Sequence, residues 1–345
     1  LVMKKICLNF HSLSLVANVI VICLSIAMGF SVVAQEHNTG SISFSVDNDG
    51  LLGSDRGYTN GIFFKFNASS VVNIEQLSPL PIRNIARWLP LYQQTNKGWG
   101  VTFGQQIWTP SDITTELEQS NDRPYTGLLF VKASIFESSD NIANKYSLML
   151  GGVGPNALGE KSQKAVHSLI GSKTPMGWHR QIDSQAVFNL SYETQRLLTR
   201  AQTWHGQDYD TALTGRVNLG NFQNEIALGS VIRWGSDLQG SFASVGFTPG
   251  NYIDASVLST SNTGQFVYVA LEGRYRFNDI TIDGARPKHL FDVHTEHWQS
   301  TISTGVVYYQ ASWGVAFSVV ASTPDYKEDI RKHNATASIE VFWRV

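Results

Sequence analysis

Proton transfer from water asks for a base that titrates near neutrality, and a hard cation asks for clustered oxygens. His167 is the candidate base. It lies in Gln163-Lys164-Ala165-Val166-His167-Ser168-Leu169-Ile170-Gly171, between Gly151-Gly152-Val153-Gly154-Pro155 and Pro175-Met176-Gly177-Trp178. A histidine takes a proton from water at neutral pH without a metal hydroxide. The competing reading is a solvated loop histidine. Asp47, Asn48 and Asp49 form a hard-oxygen cluster before Gly50. Calcium takes such oxygens, with turn carbonyls and waters completing its shell; the same run is also ordinary Asx-turn chemistry. His294-Thr295-Glu296-His297 has ligand residue types without the His-Glu-x-x-His helical spacing, and reads as a polar strand entry.

The elements that must carry these residues are strands. Ile42, Phe44 and Val46 alternate with Ser41, Ser43 and Ser45, the period-2 signature of a strand with one apolar face. If that strand continues unbroken, Ser43, Ser45, Asp47 and Asp49 face a lumen and Asn48 faces out at the rim. The next strand begins after Asp55-Arg56-Gly57-Tyr58-Thr59. With Ile62, Phe64 and Phe66 facing lipid, Thr59, Gly61 and Lys65 face the lumen, so Asp49 and Thr59 can meet. A short helix over 161–170 is predicted to carry His167 on the rim, facing a cleft at lipid level.

Composition narrows the class. Lys4 and Lys5, the apolar run 16–30 and Val32-Val33-Ala34 read as a signal peptide over 1–34, cleaved before Gln35. Both cysteines, Cys7 and Cys23, fall in that segment, which excludes disulfides and thiolate metal sites from 35–345. Removing Lys4 and Lys5 from the 26 Lys and Arg leaves 24 against 28 acids, a net charge of −4; nothing favours nucleic acid. Charged residues are 16% and aromatics 11%, and after the signal no apolar run is long enough for a spanning helix. Low charge, many aromatics and many glycines fit one domain, a transmembrane β-barrel over 35–345; a secreted β-sandwich is the alternative.

Strand starts are predicted near Ser41, Gly57, Trp99, Thr126, Lys145, Ser184, Thr214, Asn224, Phe266, Gln299, Ser312 and Thr336. The count gives an all-β, antiparallel up-and-down barrel of about twelve strands with short rim helices. Asn221-Phe222-Gln223 reads as a periplasmic hairpin turn. The segments 67–98 and 235–265 read as long loops, with a small surface helix in 74–91. In the last strand Ala337, Ile339, Val341, Trp343 and Val345 share the apolar face, and Phe342 breaks the pattern. Asp122-Arg123-Pro124-Tyr125-Thr126-Gly127 echoes the run from Asp55 to Gly61. It reads as a loop-to-strand device in which Asp caps, Arg pairs and Tyr sits at the membrane interface.

Together these residues resemble the outer-membrane lipid A 3′-O-deacylases, over most of 35–345. The match lies in Asn48-Asp49, in Tyr58-Thr59 after Asp55-Arg56, in Asn121-Asp122-Arg123-Pro124-Tyr125, and in His167 followed by Ile170-Gly171, Trp178 and Gln181. The resemblance implies a twelve-stranded barrel and calcium-dependent hydrolysis of an acyl ester on lipid A. Carried onto this chain, His167 is the base that activates water, Asn48 and Thr59 help hold the oxyanion, and Asp49 binds Ca2+. Arg56 and Lys173 are possible phosphate partners. The expected setting is the bacterial outer membrane, with lipopolysaccharide as substrate and the protein a monomer. The chain departs from the family at Lys173, where the pattern has an acid six residues after the His. A loop lysine of the family also has no counterpart in 111–118. The acid's role would then fall to another residue.

Two other classes compete. A phospholipase-like barrel would use a Ser or Thr nucleophile, but the His-x-Ser-Asn-Gly pattern is absent. A passive pore would need a hydrated, charge-lined lumen, and the inward faces are not read as strongly charged.

Overall fold

The computed structural model describes residues 40–345 except 53–55, 204–205, 259–262 and 287–292. The signal peptide over 1–34 and Asp55 lie outside the described residues. In chain order the strands are β1 (Gly40–Asn48), β2 (Gly57–Ala68), β3 (Asn96–Thr109), β4 (Thr126–Ser138), β5 (Ile142–Val153), β6 (Gln185–Gln202), β7 (Asp208–Gly220) and β8 (Gln223–Ser236). A short hairpin follows, β9 (Val245–Thr248) and β10 (Asn251–Ile253), then β11 (Gly264–Asp279), β12 (Trp298–Tyr309), β13 (Trp313–Ser322) and β14 (Asn334–Arg344). All but β9 and β10 form one closed barrel of twelve strands. β1 closes it against β14, from Ser41↔Arg344 to Asn48↔Ala337. Closure leaves no unpaired edge, which a lipid-embedded sheet requires.

The alternation holds where the sequence shows it. On β11, Val267, Val269 and Leu271 are exposed while Phe266, Tyr268 and Ala270 are buried toward the lumen. The turn at Asn221 joins β7 to β8 at the rim opposite the chain termini, the rim that also carries the β1–β2 turn. It therefore does not belong with the terminal-rim turns, where a periplasmic hairpin was expected.

The lumen differs from its expected character. It is strongly charged, and many of the charges are paired. Arg216 bridges Glu225 and Glu272, Arg276 bridges Glu225 and Asp279, and Arg233 holds Asp210. Buried charges are tolerable when so paired. Nor is 235–265 a loop outside the barrel. β9 and β10 fold into the terminal half of the lumen, where Leu238, Val245, Phe247, Ile253 and Leu258 pack on Phe266, Tyr268, Tyr309 and Phe342 of the wall. Phe342 breaks the alternation of β14 because its neighbour is this plug. The plug is also tied by polar bonds: Gly250 N–H donates to Asp47 Oδ2 at 2.8 Å, Lys65 Nζ to Ile253 O at 3.4 Å, and Lys145 pairs with Asp254. Beyond it the lumen holds a polar cavity of about 170 Å³.

Candidate functional site on the outer wall

The candidate residues gather at the rim opposite the termini. There β1 and β2 end in register, Asp47↔Gly61 and Asn48↔Asn60, and Asp49 N–H donates to Thr59 O at 3.2 Å. The expected meeting of Asp49 and Thr59 is thus a main-chain bond. The parity of Thr59 is not as read. A bulge between Tyr58 and Asn60 interrupts the β2–β3 ladder. Tyr58 turns into the lumen, where its hydroxyl donates to Asp47 Oδ2 at 2.8 Å and its ring lies 5.5 Å from that of Trp108. Thr59 takes the other direction: its hydroxyl lies 2.7 Å from that of Thr109. Gln106 and Trp108 line the lumen cavity, so by alternation Thr109 faces outward. The extra residue of a bulge is what re-aims a side chain in this way. Asn48, paired with Asn60, shares that outward side.

The oxygen cluster divides. Asp47 is buried and engaged by Tyr58 and the plug. Asp49 lies just past the strand end, 1% exposed, with Oδ2 accepting Arg56 N–H at 2.7 Å. The donors this corner offers a cation are hard oxygens: the Asp49 carboxylate, the Asn48 amide and turn carbonyls. That set suits calcium with water completing the shell. No group of three or more His, Cys, Asp or Glu converges among the described residues. His294 instead pairs with Glu328 at 2.9 Å, and His297 binds Arg276 O at 2.7 Å.

His167 is carried by a helix over Gly159–Ile170 (termed α2; α1 is Leu80–Ala86). α2 lies against the outside of β3 and β4. Ile107, on the outward side of β3, is 1% exposed because Ile113, Tyr125 and Trp178 cover it. Glycines allow the approach: a Cβ on Gly127 of β4 would come within 3.2 Å of Ala157 Cβ and Gly159 N. Gln163, one turn before His167, accepts from Trp178 Nε1 at 2.7 Å. His167 is thereby buried on the wall-facing side, 7% exposed. Its Nδ1 lies 2.5 Å from the carbonyl oxygen of Lys173. A carbonyl accepts only, so Nδ1 carries the proton and Nε2 of the neutral ring is the basic nitrogen. The position where the family pattern has an acid thus supplies a main-chain oxygen. Gly171, at φ 70°, closes the helix and lets the chain return to make that contact.

The Lys173 side chain is exposed, and its charge reaches Asp112 on the β3–β4 connection. Bonds from the Thr114 hydroxyl and N–H hold the Asp112 carboxyl below its usual range, and Lys173 adds to this. Arg56 is exposed beside the β1–β2 turn. His167 bonds to the Lys173 carbonyl, and Asn48, Asp49 and Thr59 lie in the β1–β3 corner; the two groups share a rim and an outward face. Thr109 was missed in the sequence, although a Thr-Pro strand end opposite Gly57 marks the place. In the second Asp-Arg-Pro-Tyr copy, Asp122 caps Arg123 N–H at 2.8 Å and Arg123 pairs with Asp325 at 3.2 Å, as expected. Tyr125 is not at the membrane interface: it is 2% exposed, 4.9 Å from the Trp178 ring.

Fold and site together define an outer-membrane type barrel with a histidine, an amide and two threonine hydroxyls on its outward wall. The family model described as outer membrane protein LpxR matches residues 19–345, and the chain belongs to that family, the lipid A 3′-O-deacylase family that its motifs resemble. A solved structure, LpxR from Salmonella typhimurium, is similar with a TM-score of 0.73 and 14% identity, over 88% of this chain and 100% of that one. At that identity the likeness shows the fold. KdgM porin (TM-score 0.37, 8% identity, 88% of this chain and 99% of that one) and the beta domain of the Bordetella autotransporter BrkA (0.43, 8%, 89% and 99%) align too loosely to carry an argument. No curated protein matches the chain.

Proposed function

We propose that this protein hydrolyses the 3′-acyloxyacyl ester of lipid A at the outward wall of its barrel. The observation that carries the reading is His167, fixed by the Lys173 carbonyl on a helix pressed to the outer wall, on the same rim as outward-facing Asn48 and Thr59. An ester held in the membrane can reach that wall without leaving the lipid. His167 Nε2 takes a proton from water as the water oxygen attacks the acyl carbonyl. The same proton then passes to the departing sugar oxygen, giving a free acid and a free hydroxyl. The Asn48 amide and the Thr59 hydroxyl donate to the oxyanion, and Thr109 orients Thr59 by donating to its oxygen at 2.7 Å. Asp49, with Asn48 and turn carbonyls, would hold Ca2+, which when bound polarises the ester carbonyl. Arg56 and Lys173, both exposed, would meet phosphate groups of the headgroup.

A pore reading is disfavoured by the plug and by the paired lumen charges. The test is mass spectrometry of lipid A from cells with and without the chain, alongside His167→Ala. Loss of one acyloxyacyl mass that needs His167 supports the reading. Unchanged lipid A with the protein present in the outer membrane refutes it.

A further inference from the structure

The 69–95 connection lies at the rim next to the chain termini, away from the candidate site. Its helix α1, with the residues flanking it, is apolar on two sides. Ile82, Ala86, Leu77 and Leu89 pack on Ile135, and Trp99 is sealed against the same group, its Nε1 donating to Ser78 O at 2.5 Å. Ile135 and Trp99 belong to the outward sets of β4 and β3, so α1 lies on the lipid-facing wall. The other apolar side is bare: Leu80 is 60%, Ile85 54% and Trp88 90% exposed. Arg83 and Arg87 lie between the two sides, with Glu75 as their counter-charge.

We propose that α1 is a membrane-interface anchor that seats Leu80, Ile85 and Trp88 in the phospholipid leaflet at the terminal rim. A helix apolar on two sides needs two apolar neighbours. The barrel wall is one. The wall beside the helix faces lipid, where exposed Phe66 of β2 lies 5.6 Å from Trp99, ring to ring, and that lipid supplies the other. Tryptophan is the residue that interfaces favour, and two arginines against one glutamate suit anionic headgroups.

The test is a single environment-sensitive dye at Trp88→Cys, in the full chain with Cys7→Ala and Cys23→Ala, reconstituted in phosphatidylethanolamine–phosphatidylglycerol vesicles. Trp88 is almost wholly exposed, so its loss leaves the fold intact; Ile85→Cys gives the same readout independently. Shallow nitroxide-labelled lipid is expected to quench the dye at 88 or 85 by about half or more, and a dye at exposed Gln94→Cys by no more than about a tenth. Quenching at 88 and 85 by aqueous iodide but not by lipid nitroxide would overturn the proposal. So would protection from both quenchers, which would mean that protein covers this face.

Discussion

Adding one methyl group at Gly159 probes whether the seat of α2 matters to the chemistry. A Cβ there would lie 2.6 Å from Trp178 Cη2 and 3.0 Å from Cζ3. The first distance is about 0.9 Å short of the roughly 3.5 Å at which carbon atoms rest. Trp178 cannot retreat. It is 1% exposed, held by Gln163 and packed against the tilted ring of Tyr125. The helix start must therefore lift from the wall, at a cost of about 1–3 kcal/mol. His167 lies eight residues along, about 12 Å of helix axis, and moves with it. A displacement of about 1 Å at a reacting group costs on the order of a hundredfold in rate. Gly159→Ala is therefore expected to fold as a heat-modifiable barrel and to lose most deacylation, measured as acid released from lipid A in mixed micelles. Trp178→Phe removes the two clashing carbons, so the double variant should be less impaired than the two single losses combined. Full activity in Gly159→Ala, or strictly additive losses in the cycle, would refute the idea that α2's seat positions the base.

Removing the base itself, His167→Ala, should lower acid release by on the order of a hundredfold or more; a purified variant with undiminished release removes His167 from the mechanism, and an acyl-threonine trapped at Thr59 would decide for direct attack. Chelation of calcium should abolish activity and Asp49→Ala should raise the calcium needed; full turnover in excess chelator would leave the oxyanion to protein donors. Burial drives the carboxyl of Asp254, in the plug, upward, but the Lys145 charge and hydrogen bond, the Ser256 hydroxyl and the Lys65 charge together bring it down to about 2. Its carboxylate therefore stabilises the plug fully above the ordinary carboxylate range, and that contribution is lost as pH falls through about 2. Asp254→Asn should accordingly lower thermal stability at neutral pH, and the gap to the parent should close as pH falls toward 2; a gap that persists there would contradict the pairing.

The barrel was legible because period-2 alternation survives wherever a strand has lipid on one side, so predicted starts such as Gly57, Thr126 and Gln299 fall close to the observed ones. Thr59 was misread because parity counting assumes an unbroken ladder, and a bulge at that residue changes the count. The lumen charges stood at inward positions all along, as with Glu225, Glu272, Arg274 and Arg276, but pairing across strands cannot be counted along one strand. The plug was hidden for a related reason: its apolar residues find partners such as Phe266 and Phe342, which are distant in sequence. The Lys173 contact to His167 is made by a main-chain oxygen, and side-chain identity carries no trace of it.

The stoppered lumen has a consequence for the cell that makes this protein. An outer membrane is useful as a barrier to noxious solutes, and each open barrel added to it is a leak. With the terminal half of its bore occupied by the β9–β10 hairpin, this barrel is expected to be tolerated in many copies without raising permeability. In a planar bilayer it should carry no measurable current, and sensitivity of the cell to large antibiotics should not change with its abundance. Shortening 237–258 should turn the same wall into a conductive channel.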